Sequence, residues 1–207
     1  VLTRVAAAPA VAGRDVEEPV GPELQRAAVV VPLVRVRDGD DDLGGGGIGD
    51  ENRGDLGTLF LDDGRQLEGD VEGEPGPVVR VLGHQDRLLG HALFSNQSQI
   101  VLRVISRGDT VIDEAFWRGR LKAAIDFRAS LGMNATAYRL VHGEADLLPS
   151  LIVDKYGDYL VLQALSQGMD ALLPTLIPLL VELTGARGVL GRNDPKVRLL
   201  EGLEQKV

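Results

Sequence analysis

Hydrophobic and polar positions alternate most regularly between Tyr138 and Gln163, and this stretch predicts three β-strands. Tyr138 to His142 alternates apolar and polar side chains, as a half-buried strand does. Leu151 to Val153 forms a second short strand, and Tyr159 to Gln163 forms a third. Lys155 to Asp158 predicts a turn between the last two strands, because its glycine can adopt a positive φ. We therefore expect a hairpin with a third strand beside it.

A helix is predicted before these strands. Thr110 or Asp113 can cap it, Glu114 is favourable in its first turn, and Gly132 can close it. Its apolar stripe, which we expect to be core, contains Trp117, Leu121, Ala124, Ile125 and Leu131.

A second, apolar helix is predicted after the strands, ending at Gly185. Pro174 can occupy its first turn, whereas Pro178 predicts a kink or a late helix start because proline removes a backbone hydrogen bond. Arg187 to Gly191 then reads as a last strand. The order of helix, three strands, helix and strand predicts a mixed sheet backed by two helices over residues 109–207.

Three more strands are predicted between Pro77 and Arg107, in the runs PVVRVL, RLLGHAL and SQIVLRVI. A turn, GHQD, separates the first two. His84 and His91 lie seven residues apart with no acid or cysteine at ligand spacing, so we interpret them as turn and strand residues.

Residues 1–70 differ in composition from the rest of the 207-residue chain. They lack Lys, Ser, Tyr, Trp, Met and His, and their net charge is −8, against −1 for residues 71–207. Few large side chains occur outside Val29 to Val36 and Leu59 to Leu61, so we expect this segment to be poorly ordered. With a total charge of −9, RNA binding requires a local basic face.

Two patterns in this segment resemble binding motifs. Gly44, Gly46 and Gly49 satisfy GxGxxG, but no helix follows to receive a phosphate, so a glycine-rich loop is the better interpretation. Asp38, Asp40 and Asp42 have calcium-loop spacing, but the loop's required glycine and terminal glutamate are missing. A solvated acidic turn is the better interpretation there.

The blocks FSNQSQIVLRVI, YRLVHGEADLLPSLIVDKYGDYLVLQ and GRNDPKVRLLEGL resemble the bacterial S-adenosylmethionine-dependent 23S rRNA cytosine-C5 methyltransferases. The resemblance implies an α+β chain: a PUA-like β-barrel, here only its C-terminal half at residues 71–108, followed by a small mixed-sheet domain at 109–207. In that family a Rossmann-like domain binding S-adenosylmethionine comes last, and it would begin about where this chain ends. We therefore expect no cofactor to bind this chain.

Candidate RNA or domain-interface residues follow from the same resemblance and from charge. Basic faces usually are only solvated, so both interpretations stay open. The candidates are Arg103, Arg118, Arg120, Lys122, Arg139, Glu144, Asp146, Asp154, Arg192, Asp194 and Arg198.

We predict no catalytic residue and no metal site in this chain. Its carboxylates are not accompanied by any feature that would separate their pKa values. The chain has no cysteine, so it cannot supply the cysteine with which the resembled family attacks C6 of cytosine. No apolar stretch reaches the ~20 residues that a membrane helix needs, and no signal peptide is evident, so we expect a soluble, cytoplasmic protein.

Two functions remain open at the level of sequence. The chain is either the RNA-positioning part of an rRNA methyltransferase or a non-catalytic RNA-binding or interaction module. The basic segment and GHPW-type motif expected at the start of the family are not present, so we also hypothesise that much of residues 1–70 comes from a misplaced start or a shifted reading frame.

Overall fold

The computed structural model describes the backbone of residues 33–37, 53–60 and 66–72 and the whole of residues 77–207. These residues form an α+β structure with two sheets, as predicted. The strands are β1 (Leu33–Arg37), β2 (Arg53–Phe60), β3 (Gln66–Glu72), β4 (Val78–Leu82), β5 (Leu88–Phe94), β6 (Leu102–Arg107), β7 (Ala137–His142), β8 (Leu151–Tyr156), β9 (Tyr159–Ala164) and β10 (Gly188–Gly191). The helices are α1 (Glu114–Ser130), α2 (Gln167–Thr184) and α3 (Val197–Leu200).

The first sheet has the strand order β2-β3-β1-β4-β5-β6. All neighbours are antiparallel except β1 and β4, which run parallel. Three of its strands precede residue 73, so the sheet starts earlier in the chain than the boundary predicted at residue 71. The two stretches in which large side chains occur, Val29 to Val36 and Leu59 to Leu61, overlap β1 and β2, where no strands were predicted. The glycine and aspartate motifs at residues 38–49 lie outside the described residues.

A bulge between β5 and β6 depends on Gly90. A Cβ atom on this residue would lie 2.0 Å from the backbone oxygen of Ser106. Gly90 faces Arg107, and the register shifts one pair later, between His91 and Ala92. Only a residue without a side chain allows the two backbones to approach so closely.

The second sheet has the order β10-β9-β8-β7 and contains the three strands predicted between Tyr138 and Gln163. β7, β8 and β9 are antiparallel, and α2 carries the chain over to β10, which is parallel to β9. The hairpin turn is shorter than predicted. Tyr156 pairs with Tyr159, so only Gly157 and Asp158 form the turn, with Gly157 at φ +56°.

Helix α1 begins as its sequence predicts. The Asp113 side chain accepts a hydrogen bond from the backbone nitrogen of Phe116, at 2.9 Å. Trp117, Leu121 and Ala124 are buried, which confirms most of the predicted stripe. Leu131 is wrong as a core residue, because it follows the end of the helix and is exposed.

Helix α2 begins at Gln167, so the predicted late start is wrong and Pro174 lies in the helix interior. Pro174 and Pro178 are four residues apart and both exposed. Water can therefore reach the carbonyl groups that these prolines leave without a backbone partner. Gly185, at φ +65°, ends the helix as predicted.

One hydrophobic core lies between the two helices and the second sheet and extends to the first sheet. Leu121, Leu160 and Leu176 are fully buried in it, and Leu93 and Ile105 of the first sheet belong to the same cluster. Gly168 marks the closest approach, because a Cβ atom there would lie 2.8 Å from the backbone oxygen of Pro77. The first turn of α2 therefore rests directly on the first sheet.

Candidate nucleic-acid interface

A buried ion pair joins the first sheet to the segment that follows α3. Nη2 of Arg103, on β6, lies 2.8 Å from Oε1 of Glu201, and 10% and 1% of the two side chains are exposed. Nη1 of Arg103 also donates to the backbone oxygen of Ile100, at 3.0 Å. For Arg103 both an RNA contact and a solvated strand face were left open, and the structure instead buries this side chain, because the chain after α3 folds back over β6.

The same carboxylate meets the N-terminus of α2. Oε2 of Glu201 accepts a hydrogen bond from the backbone nitrogen of Gln167, at 3.2 Å, and another from the hydroxyl of Ser95. The side-chain nitrogen of Gln167 donates to the backbone oxygen of Glu201, at 2.8 Å. A negative charge here satisfies a backbone N–H group at the start of the helix and matches the helix dipole.

Arg198 lies in the interior, with a relative exposure of 1%. Its guanidinium donates to the backbone oxygen of Ala164, to that of Glu204 at 2.9 Å, and to Oδ1 of Asp170 at 2.8 Å. The block GRNDPKVRLLEGL therefore points two of its charged side chains, Arg198 and Glu201, into the protein.

The loop between β7 and β8 is held by its own acidic residues. Asp146 accepts two hydrogen bonds from the guanidinium of Arg128, at 2.6 and 2.7 Å, and a third from the backbone nitrogen of His142. Oε1 of Glu144 accepts from the backbone nitrogen of Ser150, at 3.2 Å. Both carboxylates are thus engaged in fixing the loop, which argues against an acid and base pair.

The charged face of α1 is balanced by acids. Nη2 of Arg118 lies 3.0 Å from Glu182 of α2 and 3.0 Å from Glu114. The hydrogen bond to Glu182 raises the pKa of Arg118 and lowers the pKa of Glu182. Lys122 pairs with Asp126, one turn later. Arg118 and Lys122 both remain accessible to solvent.

Arg120 points toward the first sheet instead of into solvent. Its Nη2 donates to the backbone oxygen of Ile105, at 3.1 Å. Its guanidinium carbon lies 5.1 Å from the centre of the Phe116 ring. Arg120 therefore joins α1 to β6 of the first sheet.

The outer face of the second sheet, opposite the helices, carries Arg139 and Asp154. These residues face each other across β7 and β8, and two hydrogen bonds of 2.9 and 3.3 Å join them. The bond to Asp154 raises the pKa of Arg139. The pair lines an open surface depression together with Ala137, Tyr138 and Tyr156.

Two tyrosines lie at the end of this face: Tyr156, which was predicted in the turn, and Tyr159, which was predicted to begin the third strand. Tyr156 and Tyr159 are directly opposed across the hairpin and are 53% and 47% exposed. Ala137 pairs with Tyr156 on one side, and Gly188 pairs with Tyr159 on the other. A two-residue turn places the two flanking side chains on the same face of a hairpin. The sequence therefore allowed this pair to be predicted, but the turn was predicted to be four residues long.

Arg192 and Asp194 lie just beyond β10. Nε of Arg192 is 3.3 Å from Oδ1 of Asp194, and both side chains are about half exposed, at 58% and 43%. Asn193 between them is buried, and its side-chain oxygen accepts from the backbone nitrogen of Ala164, at 2.9 Å. The segment is thus anchored by its middle residue.

Within the described part of the chain, no cluster of His, Asp or Glu side chains could hold a metal ion. In a strand–helix–strand unit such as β9, α2 and β10, a nucleotide-like cofactor would bind at the N-terminus of the helix. Here the carboxylate of Glu201 occupies that terminus. The residues of this unit therefore do not fit S-adenosylmethionine.

Comparisons with known proteins give the chain a context. Residues 59–107 match the model of a PUA-like domain family. The chain is 39% identical over 142 residues to ribosomal RNA large subunit methyltransferase I of Erwinia tasmaniensis and 38% identical over 144 residues to the protein of the same name from Yersinia pseudotuberculosis. Each match covers 67% of this chain and 35% of the relative. The chain is homologous to part of these methyltransferases. It spans about a third of their length.

Solved structures show the same fold. A Streptococcus mutans protein described as a candidate SAM-dependent methyltransferase matches with a TM-score of 0.53 and 19% identity, over 62% of this chain and 34% of its own. A second candidate methyltransferase, complexed with SAH, gives a TM-score of 0.51 and 20% identity, over 56% and 31%. The PUA-like match begins at residue 59, ahead of the predicted boundary at 71. No helix that the structure describes is both long and apolar enough to span a bilayer.

Proposed function

We propose that this chain is the RNA-positioning part of an S-adenosylmethionine-dependent 23S rRNA methyltransferase of the cytosine-C5 type. The observation that supports this most is its 37–39% identity to proteins named ribosomal RNA large subunit methyltransferase I, combined with a PUA-like domain. We assign residues 109–207 to the middle α+β domain of that family. We also propose that the protein acts in the cytoplasm.

The residues of this chain indicate which steps of the methyltransferase reaction it does not supply. The chain has no cysteine to form a bond with C6 of a cytosine, and in the parallel unit β9–α2–β10 the helix N-terminus is capped by Glu201. We therefore assign S-adenosylmethionine binding and catalysis to the two thirds of the relatives that the alignment leaves uncovered. This chain contributes two sheets in a fixed relation, which suits a role in holding structured RNA.

Two binding measurements test the proposal. By isothermal titration calorimetry, the chain is expected to show no binding of S-adenosylmethionine, and measurable binding would contradict the assignment of the cofactor site elsewhere. By filter binding, it is expected to retain 23S rRNA fragments with an affinity that falls as salt rises, because phosphate contacts release counterions. No retention at low salt would contradict the RNA-positioning role.

The alternative is a non-catalytic RNA-binding or interaction module that serves no methyltransferase. A competition experiment separates the two. If the chain holds the same RNA as its relatives, an excess of it slows methylation of 23S rRNA by the Erwinia tasmaniensis protein, and additional rRNA restores the rate. Unchanged methylation by that enzyme, with RNA binding by the chain intact, would favour the alternative.

A further inference from the structure

We propose that Tyr156 and Tyr159 form a platform on which unpaired RNA bases stack, on the outer face of the second sheet. The proposal rests on the RNA-holding function proposed above and assigns it a second contact surface, separate from the PUA-like sheet. Neither tyrosine is among the eleven candidate residues predicted from the sequence.

The strand register creates the platform. Tyr156 and Tyr159 are directly opposed, so their side chains rise from the same face with Cβ atoms about 5 Å apart. Their outer neighbours in the same row are small, Ala137 and Gly188. A Cβ atom on Gly188 would lie 3.3 Å from Cδ1 of Tyr159, so the ring of Tyr159 lies over the space that this glycine leaves open.

The two faces of this sheet differ in what covers them. Leu160 and Leu162, which alternate with Tyr159 and Val161 along β9, are fully buried in the core under the helices. Tyr156 and Tyr159 are about half exposed on the other face, and Val161 behind them is partly exposed. No helix or strand in the described ranges covers the two rings. Two large aromatic surfaces are therefore presented to solvent side by side.

The charges beside the rings suit a nucleic acid. Arg139 lies in the next row, its guanidinium is fixed by Asp154, and its charge acts on Tyr156. Lys155 is opposed to Tyr138 and to the buried Leu160, so it lies on the other side of the sheet and adds no charge to this face. The Arg139 side chain is 44% exposed, so part of its guanidinium stays accessible beside the rings in a chain whose net charge is −9. Phosphates beside a stacked base would find donors here.

RNA fits this face better than a protein does. A protein partner covering the face would have to bury the Arg139–Asp154 pair, and removing two charges from water is costly. A base needs only one face of a tyrosine ring, so it can stack while the ion pair stays solvated. Stacking on aromatic rings tolerates any base sequence, because every base has a π-face.

The test uses the whole 207-residue chain and a short fluorescent single-stranded RNA taken from 23S rRNA. Tyr156→Ala and Tyr159→Ala are each expected to weaken binding about 5- to 150-fold, the range measured for loss of one stacked base. Tyr156→Phe and Tyr159→Phe keep the ring and are expected to bind within about twofold of the unaltered chain. Phe127→Ala is the matched control, since Phe127 is 54% exposed on α1, away from the sheet face.

A second measurement needs no variant. The chain has three tyrosines, so nitration with tetranitromethane followed by mass spectrometry reports on each one. Single-stranded RNA is expected to protect Tyr156 and Tyr159, and the same strand annealed to its complement is expected to protect neither. Equal protection by the duplex would overturn the proposal, because a base-paired strand offers no free base to stack.

The remaining outcomes separate this proposal from the one on which it rests. If the chain binds single-stranded RNA and the alanine variants bind it equally well, the platform is overturned and the RNA-positioning function stands. If the unaltered chain binds no RNA at all, both are overturned. If the alanine substitutions abolish self-association in sedimentation and leave RNA affinity unchanged, the face is a contact between copies, and the platform is overturned.

Discussion

Arg103 and Glu201, 98 residues apart in sequence, form a 2.8 Å ion pair in the interior, between β6 and the residue that follows α3. The pair closes a long loop of the chain, and its carboxylate also meets the first turn of α2. Removing one partner leaves the other charge buried without compensation. We therefore expect Arg103→Met to lower the free energy of unfolding by about 3–5 kcal/mol, measured by urea denaturation.

The matched control for that substitution is Lys122→Met. Lys122 also forms an ion pair, with Asp126, but both side chains are largely exposed. A pair one helical turn apart on the surface contributes under about 0.5 kcal/mol. Equal losses from the two substitutions would mean that the Arg103–Glu201 pair is not a stabilising buried link between β6 and the segment that follows α3.

Two glycines predict opposite responses to alanine. Gly90→Ala would place a Cβ atom 2.0 Å from the oxygen of Ser106, so we expect the first sheet to lose its native pairing. Gly119, inside α1, has no atom within 4 Å of the same position, so Gly119→Ala is expected to stabilise the protein by about 1 kcal/mol. Thermal unfolding followed by circular dichroism measures both. A tolerated Gly90→Ala would contradict the close approach of β5 and β6.

His91 predicts a dependence of stability on pH. Burial, and then the charge of Arg80, lower its pKa from 6.5, while Asp109 acts in the opposite direction. The unfolded chain therefore binds a proton at a higher pH than the folded one does. The stabilisation that neutral His91 contributes is fully present above the ordinary histidine pKa, and it is lost as the pH drops through and below 6.5.

Urea denaturation between neutral and mildly acidic pH measures this effect. His91→Gln is expected to flatten the pH dependence in that range, and His142→Gln, at an exposed position, is expected to leave it unchanged. An unaltered slope in His91→Gln would show that other groups control the acid sensitivity.

Arg198 and Arg192 offer a matched pair of arginine-to-lysine changes. Arg198 donates to three acceptors in the interior, which a lysine cannot reach with the same geometry. Arg198→Lys is expected to cost about 3 kcal/mol of folding free energy, through the loss of charged hydrogen bonds. Arg192, which is 58% exposed, is expected to tolerate the same change. Differential scanning calorimetry compares the two, and similar midpoints would contradict the interior role of Arg198.

Local patterns predicted the elements of the second sheet well, because alternation and turn chemistry are properties of a few adjacent residues. Tyr138 to Gln163 gave three strands, and Asp113 gave the start of α1. The start of the hairpin turn was predicted two residues early, at Lys155, because Lys155 and Tyr156 suit both a strand and an exposed turn. That error concealed the opposed pair of Tyr156 and Tyr159.

Charged residues were harder to predict, because their environment depends on distant parts of the chain. Arg103 alternates with apolar neighbours as a solvent-facing strand residue would, and only Glu201 explains its burial. Arg198 likewise sits in a segment rich in charges and yet lies in the interior. The carboxylate that pairs with each buried arginine is distant in sequence, Glu201 for Arg103 and Asp170 for Arg198. Arg118 and Lys122, with acidic partners one turn away, lie on the surface as their spacing indicates.

Gly168 gives the chain a property that neither sheet has alone. Because its bare backbone touches Pro77 and Leu93, no gap remains in which the first turn of α2 could slide or tilt against the β4–β5 ribbon. The distance between the outer surfaces of the two sheets is therefore fixed in the folded chain. If the proposed RNA contacts are made on both surfaces, the RNA has to present its two contacting parts at that one separation.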